Sequence, residues 1–163
     1  ETAGHVARHL DLMRRIQQDT GGFTEFVPLG FIWENTKLYR DGKVTPQPKG
    51  LRDLRIYATC RLVLRGVIDN LQTSWVKLGH RLAQLSLRAG CNDFGGTLME
   101  ESISREAGAD AGEYTSVEEI ETLVRGMDRR PVQRTTLYGR VGDASGEGGH
   151  ADGHHAATEA RPT

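Results

Sequence analysis

Three short segments of strand character, residues 23–29, 71–78 and 91–96, alternate with helical segments along most of the chain. The order is helix, strand, helix, strand, helix, strand, helix. Strand–helix units at this spacing are the signature of a parallel α/β sheet. Three parallel strands cannot close a barrel, and an open parallel edge leaves unpaired N–H and C=O groups exposed. A chain of this pattern is therefore expected to be the closing arc of a larger barrel whose other strands lie upstream. Glu1 stands where a start methionine would be, which fits either a processed terminus or a fragment.

The helices are legible from apolar spacing. Val6, Leu10, Met13 and Ile16 recur at three- and four-residue intervals and predict a helix over 5–20, stopped by Gly21-Gly22. Leu51, Leu54, Ala58 and Leu62 predict a second over 51–64, with Gly66 beyond its end. Shorter helices are expected over 79–89, closed by Gly90, and over 98–107. Ser116 and Glu119 have capping-box spacing, and Val117, Ile120, Leu123, Val124 and Met127 form the apolar stripe of a terminal helix ending before Pro131. Residues 30–50 form a long polar loop, either functional or a tolerated insertion. The division expected is 1–140 as the packed region and 141–163 as a disordered tail, because the tail is rich in Gly, Ala, His and Asp and poor in core-forming residues.

Charge and composition exclude several classes. Lys plus Arg number 21 against 22 Asp plus Glu, a formal net charge of -1, so the basic excess typical of nucleic-acid binders is missing. Apolar runs fall short of the roughly 20 residues that cross a bilayer, and no secretory signal opens the sequence. The two cysteines, Cys60 and Cys91, lie far apart and fit buried free thiols of a cytoplasmic protein better than a disulfide scaffold. His5 and His9 have a metal-capable spacing, but no third ligand stands near them in the sequence, and helix-surface histidines explain them as well.

Four blocks carry a specific resemblance: Thr20-Gly-Gly-Phe-Thr-Glu-Phe-Val-Pro-Leu29, Gln72-Thr-Ser-Trp-Val-Lys-Leu-Gly79, Asn92-Asp-Phe-Gly-Gly-Thr-Leu-Met-Glu-Glu-Ser-Ile-Ser-Arg105, and Gln133-Arg-Thr-Thr136. Together they resemble the FO synthase family of radical-SAM enzymes, in the half that joins tyrosine to 5-amino-6-ribitylaminouracil. They are similar, less closely, to the radical-SAM enzymes of the futalosine route to menaquinone. The resemblance implies the carboxy-terminal part of a radical-SAM (β/α) barrel. It implies a 4Fe-4S cluster held by a Cys-x3-Cys-x2-Cys motif, and S-adenosyl-L-methionine (SAM) as the radical source. It also implies transfer of the 4-hydroxybenzyl group of tyrosine to the aminouracil, and a second FO synthase half, fused or separate, as partner. The three-cysteine motif is not in this sequence, so the chain by itself is expected to be inactive. A different class, a non-catalytic barrel domain binding a small ligand or a partner, stays open because fold does not fix function.

In a barrel of this kind the working face lies at the carboxy ends of the strands, and protein groups position substrate while the cofactor does the hard chemistry. Glu25 interrupts an apolar strand and must be paired with a cation or hold a ligand. Alternation over 71–78 puts Gln72 and Ser74 on one face and Thr73, Trp75 and Lys77 on the other, leaving open which set lines the cavity. Lys77 reaches either a carboxylate or solvent. Asn92 and Asp93, followed by Gly95-Gly96, either hydrogen-bond ribityl or ribose hydroxyls or shape a tight turn. By the resemblance, Glu1 is similar to the last residue of a Gly-x-x-Glu element that supports SAM binding. Glu1, Glu25, Ser74, Lys77, Asn92 and Asp93 are thus the candidate substrate- or SAM-binding residues.

Overall fold

The computed structural model describes residues 1–97, 106, 114–141 and 155–159. Helices with few strands make up the fold. Helix α1 (Ala3–Thr20) starts at a capping box in which Thr2 Oγ1 accepts from the His5 N–H and the Thr2 N–H donates to His5 Nδ1. His5 is therefore occupied in satisfying a helix end. Gly21, at φ 61, ends the helix in the left-handed conformation that favours glycine. Helix α2 (Lys37–Arg40) is a single turn inside the loop 30–50, capped by Thr36. Helix α3 (Leu51–Leu64) has the predicted bounds, and the Gly50 N–H at its start donates to Asp53 Oδ2. Helix α4 (Trp75–Leu78) and helix α5 (His80–Ser86) follow, then strand β1 (Asp93–Gly96). Helix α6 (Val117–Arg125) begins at Ser116, whose hydroxyl accepts from the Glu119 N–H while Glu119 accepts from the Ser116 N–H, as the spacing predicted. Strands β2 (Arg130–Arg134) and β3 (His155–Glu159) complete the described elements.

The three segments read as strands line up in parallel, but only the last is long enough to be a strand. Phe26 bridges Leu71, and Gln72 bridges Asp93, both in the parallel sense. The Phe26 N–H donates to Asn70 O, the Gln72 N–H to Phe26 O, and the Thr73 N–H to Asp93 O. The first segment shortens to one bridge because Pro28 has no N–H to extend the ladder.

The expected strand over 71–78 needs a correction: it ends at Ser74, and Trp75–Leu78 is helical. The backbone there closes helical bonds instead, with the Leu78 N–H donating to Ser74 O and the Gly79 N–H to Trp75 O, and both Trp75 and Val76 are buried. The expected face carrying Thr73, Trp75 and Lys77 does not exist beyond Thr73. The expected helix over 98–107 lies outside the described residues, apart from the helical Glu106. In the tail, β3 lies between β1 and β2, antiparallel to both. Each of those strands offers an edge of unpaired backbone groups, which a short stretch such as His155–Glu159 satisfies.

One core joins these elements. Leu10 of α1, Tyr57, Cys60 and Leu64 of α3, and Leu71 pack with Trp75, Leu87, Phe94, Ile120 and Val124. Leu71 is buried in this core, and Phe26 packs against it. Since side chains alternate along a strand and bridged residues in a parallel pair share a face, Glu25, Gln72 and Asp93 lie together on the opposite face. No helix among the described residues is long and apolar enough to cross a membrane.

Candidate functional site

The direction of the strands separates the candidate residues into two groups. Glu25, Asn92 and Asp93 stand where the strands begin; Ser74 stands where the second one ends, and Gly95, Gly96 and Thr97 where the third one ends.

At the starts, every polar candidate is already engaged. Asn92 Oδ1 accepts from Arg61 Nη2 at 2.8 Å and from the Leu71 N–H at 2.8 Å. Arg61 reaches this point from the last turn of α3 and also donates to Gly90 O and Asp69 O, both at 2.7 Å. Asn92 therefore fastens two strand starts together. Asp93 is fully buried, and Arg134, 4% exposed, supplies its counter-charge. Arg134 Nε donates to Asp93 Oδ2 at 2.9 Å, and Nη2 bonds both Asp93 Oδ2 and Glu25 Oε2, the latter at 3.3 Å. The Tyr138 hydroxyl lies within hydrogen-bond reach of both carboxylates, and the ring packs under the guanidinium with Cζ 3.9 Å from its centroid. Tyr138 stands at φ 64 in a hairpin in which the Thr135 N–H donates to Gly139 O and the Val141 N–H to Gln133 O. A non-glycine residue in that region carries strain of roughly 1–2 kcal/mol, which the contacts of its side chain offset. Burial, followed by the bonds to Asp93 and Glu25, pushes the Tyr138 phenol far above its usual range, so it stays a donor.

Arg134 and Tyr138 received no role from sequence reasoning. The available signal was indirect: carboxylates in two apolar strands demand a cation, and Arg134 sits in one of the blocks that carry the resemblance.

At the ends of the strands the surroundings differ. Trp75 Nε1 donates to Gly96 O at 3.1 Å within the core. The Tyr57 hydroxyl donates to Pro28 O at 3.0 Å and accepts from the Ser74 N–H at 3.4 Å. Thr115, fully buried, meets His80 Nε2 at 2.6 Å. Gly95, at φ 82, lies under the Gln72 amide, and a Cβ there would come within 2.7 Å of Gln72 Nε2. Ser74 and Lys77 are half-buried. Between α1, α3 and residues 26–30 a cavity of about 300 Å³ is lined by Val6, His9, Phe26, Leu29 and Tyr57, with Glu1 among its lining residues. The structure thus brings Glu25 and Asp93 together and keeps Glu1, Ser74 and Lys77 apart from them.

Neither thiol fits a cluster ligand. Cys60 and Cys91 are buried, and burial pushes them up to about 11 and about 12 respectively. Thiolates are what iron–sulfur clusters need, and both groups hold their protons at neutral pH. Among the described residues no group of three or more His, Cys, Asp or Glu is arranged to hold a metal ion.

Comparison with known proteins agrees with the four sequence blocks. The chain is 51% identical over 139 residues to the 5-amino-6-(D-ribitylamino)uracil–L-tyrosine 4-hydroxyphenyl transferase of Methanothermobacter thermautotrophicus, covering 85% of this chain and 38% of the relative. The enzyme of the same name from Methanopyrus kandleri is 55% identical over 130 residues, covering 80% of this chain and 35% of the relative. One from Methanosarcina acetivorans is 53% identical over 151 residues, covering 90% and 40%. The chain spans 35–40% of the length of these curated relatives. Residues 20–144 match the family described as the CofH/MqnC C-terminal region, and the chain belongs to that family.

Proposed function

We propose that this chain is the carboxy-terminal region of a radical-SAM transferase that joins L-tyrosine to 5-amino-6-(D-ribitylamino)uracil in deazaflavin synthesis. The observation that supports it most is the identity of 51–55% to three transferases of that name, held across 80–90% of this chain. The futalosine branch shares the family profile, and the names of these relatives favour the tyrosine transferase.

In this reading the strand segments form the closing part of a (β/α) barrel. The cluster ligands belong to residues outside this chain, since Cys60 and Cys91 are buried and protonated. What this chain contributes is position. Ser74, Lys77 and the backbone of Gly95–Gly96–Thr97 stand at or just beyond the carboxy ends of the strands, where (β/α) barrels place their substrates. The long connection after the first strand segment leaves from the same end. Glycine at 95 meets a φ of 82 and the close approach of the Gln72 amide. Glu25, Asn92 and Asp93 serve instead to fasten the strand starts. Glu1 contributes to the cavity between α1 and α3.

The test is anaerobic reconstitution of the full-length protein that carries this region, with SAM, tyrosine and the aminouracil. Formation of the coupled product is expected. Cleavage of SAM with no dependence on either tyrosine or the aminouracil would defeat the proposal.

A further inference from the structure

The carboxyl of Asp93 faces two ways. Its Oδ2 is held by Arg134 Nε and Nη2 and by the Tyr138 hydroxyl, the last at 2.5 Å. Its Oδ1 accepts from the Gly95 N–H at 2.9 Å. One buried carboxylate therefore links the hairpin 133–141 to the glycine turn.

That turn has little freedom to choose its shape. Gly95 holds φ 82, and the Gln72 amide lies against it. The next carbonyl, Gly96 O, is fixed by the Trp75 indole. The main chain at Gly95–Gly96, the end of β1, is then held along one edge by its pairing with β3, at Gly96 O by Trp75 and at the Gly95 N–H by Asp93. Asp93 holds its orientation because Arg134 neutralises it: an unpaired buried carboxylate is strongly unfavourable and turns toward water. Arg134 is held in turn by Glu25 Oε2, by Thr135 O at 3.1 Å from Nη1, and by the Tyr138 ring.

We infer that Arg134 and Tyr138 are positioning residues: by clamping Asp93 they fix the Gly95–Thr97 backbone on which substrate rests. The effect on substrate depends on the proposed use of that turn; the effect on the turn does not. A guanidinium suits the task because its fork serves two carboxylates at once, where an ammonium is a single point.

The test uses the full-length protein with Arg134→Met, Arg134→Lys and Tyr138→Phe, read by amide hydrogen exchange and by steady-state kinetics. Arg134→Met is expected to speed exchange at residues 93–97 at least tenfold while peptides from α3 keep their protection. It is also expected to raise KM for the aminouracil at least tenfold with a smaller change in kcat. Arg134→Lys should fall between wild type and Met on both scales. Exchange that rises equally in α3 and at 93–97, or at neither, overturns the inference. Should Arg134→Met not fold, Tyr138→Phe, which keeps the guanidinium, is expected to show a smaller rise confined to 93–97, and none at all would overturn it. If wild-type protein fails to couple tyrosine to the aminouracil, the proposed reaction is wrong, while the exchange result still decides whether the clamp sets the turn.

Discussion

Gly90 lies against Arg61 so closely that a Cβ there would come within 2.6 Å of Arg61 Cβ and 2.8 Å of its Cγ. The contact matters because Arg61 is the hub of the strand starts, donating to Gly90 O, Asp69 O and Asn92 Oδ1. Gly90 also holds φ 110, a conformation side chains rarely adopt. Gly90→Ala is expected to destabilise the fold by about 2–4 kcal/mol, from backbone strain of roughly 1–2 kcal/mol and weakened charge-assisted hydrogen bonds. Urea unfolding at unchanged m-value measures it. A loss below about 0.5 kcal/mol would mean that Arg61 swings aside without penalty.

Asn92 offers a cleaner discrimination between fastening and substrate binding. Asn92→Ala removes the acceptor of the Leu71 N–H and of Arg61, leaving a buried donor unmet at about 1–3 kcal/mol. Asn92→Asp keeps an acceptor and adds attraction to Arg61, so its stability should stay within about 1 kcal/mol of wild type. Thermal unfolding of both variants separates the cases. Equal loss in the two would count against a purely structural role.

The buried thiols set a limit on alkaline stability. Burial raises both thiols in the folded state, Cys60 to about 11 and Cys91 to about 12. A group bound more tightly to its proton in the folded state stabilises below its unfolded pKa and loses that contribution as pH rises through the folded one. Stability is therefore expected to be flat with respect to these groups between pH 7 and about 8, and to fall from about pH 9 to 12. Cys60→Ala combined with Cys91→Ala should flatten part of that fall. Native protein should also resist thiol reagents at pH 8, and rapid labelling of both cysteines without denaturant would contradict their burial.

Ser74 and Lys77 are expected to matter for turnover, and Ser74 little for folding. Ser74→Ala in the full-length protein should lower kcat/KM at least tenfold, which corresponds to about 1.4 kcal/mol, with an unfolding midpoint close to wild type. Lys77→Met should do the same with KM rising more than kcat falls. Wild-type kinetics in both would remove the strand ends from the substrate site.

How far the sequence discloses this structure depends on how local the cause is. The bounds of α3 and the capping box at Ser116 follow from residues three and four apart, so both were legible. Helix α4 was not. Thr73, Trp75 and Lys77 alternate with their neighbours as a strand would, and the pattern gives no sign of the helical bonds from Leu78 to Ser74 and from Gly79 to Trp75 that replace it. Glu25 announced the need for a partner, but the partner lies 109 positions away, beyond any pattern of spacing. The tail strand β3 is set by open edges elsewhere in the chain rather than by its own composition.

The strands are fastened unequally along their length. Arginine side chains from α3 and from the last hairpin grip the starts, and toward the opposite end the Trp75 indole holds Gly96 O. Local opening follows the weakest attachments, so the sheet should breathe like a fan held at its pivot, with the ribs parting most at the rim. A mouth that yields over a base that does not can change its shape without unfolding what supports it.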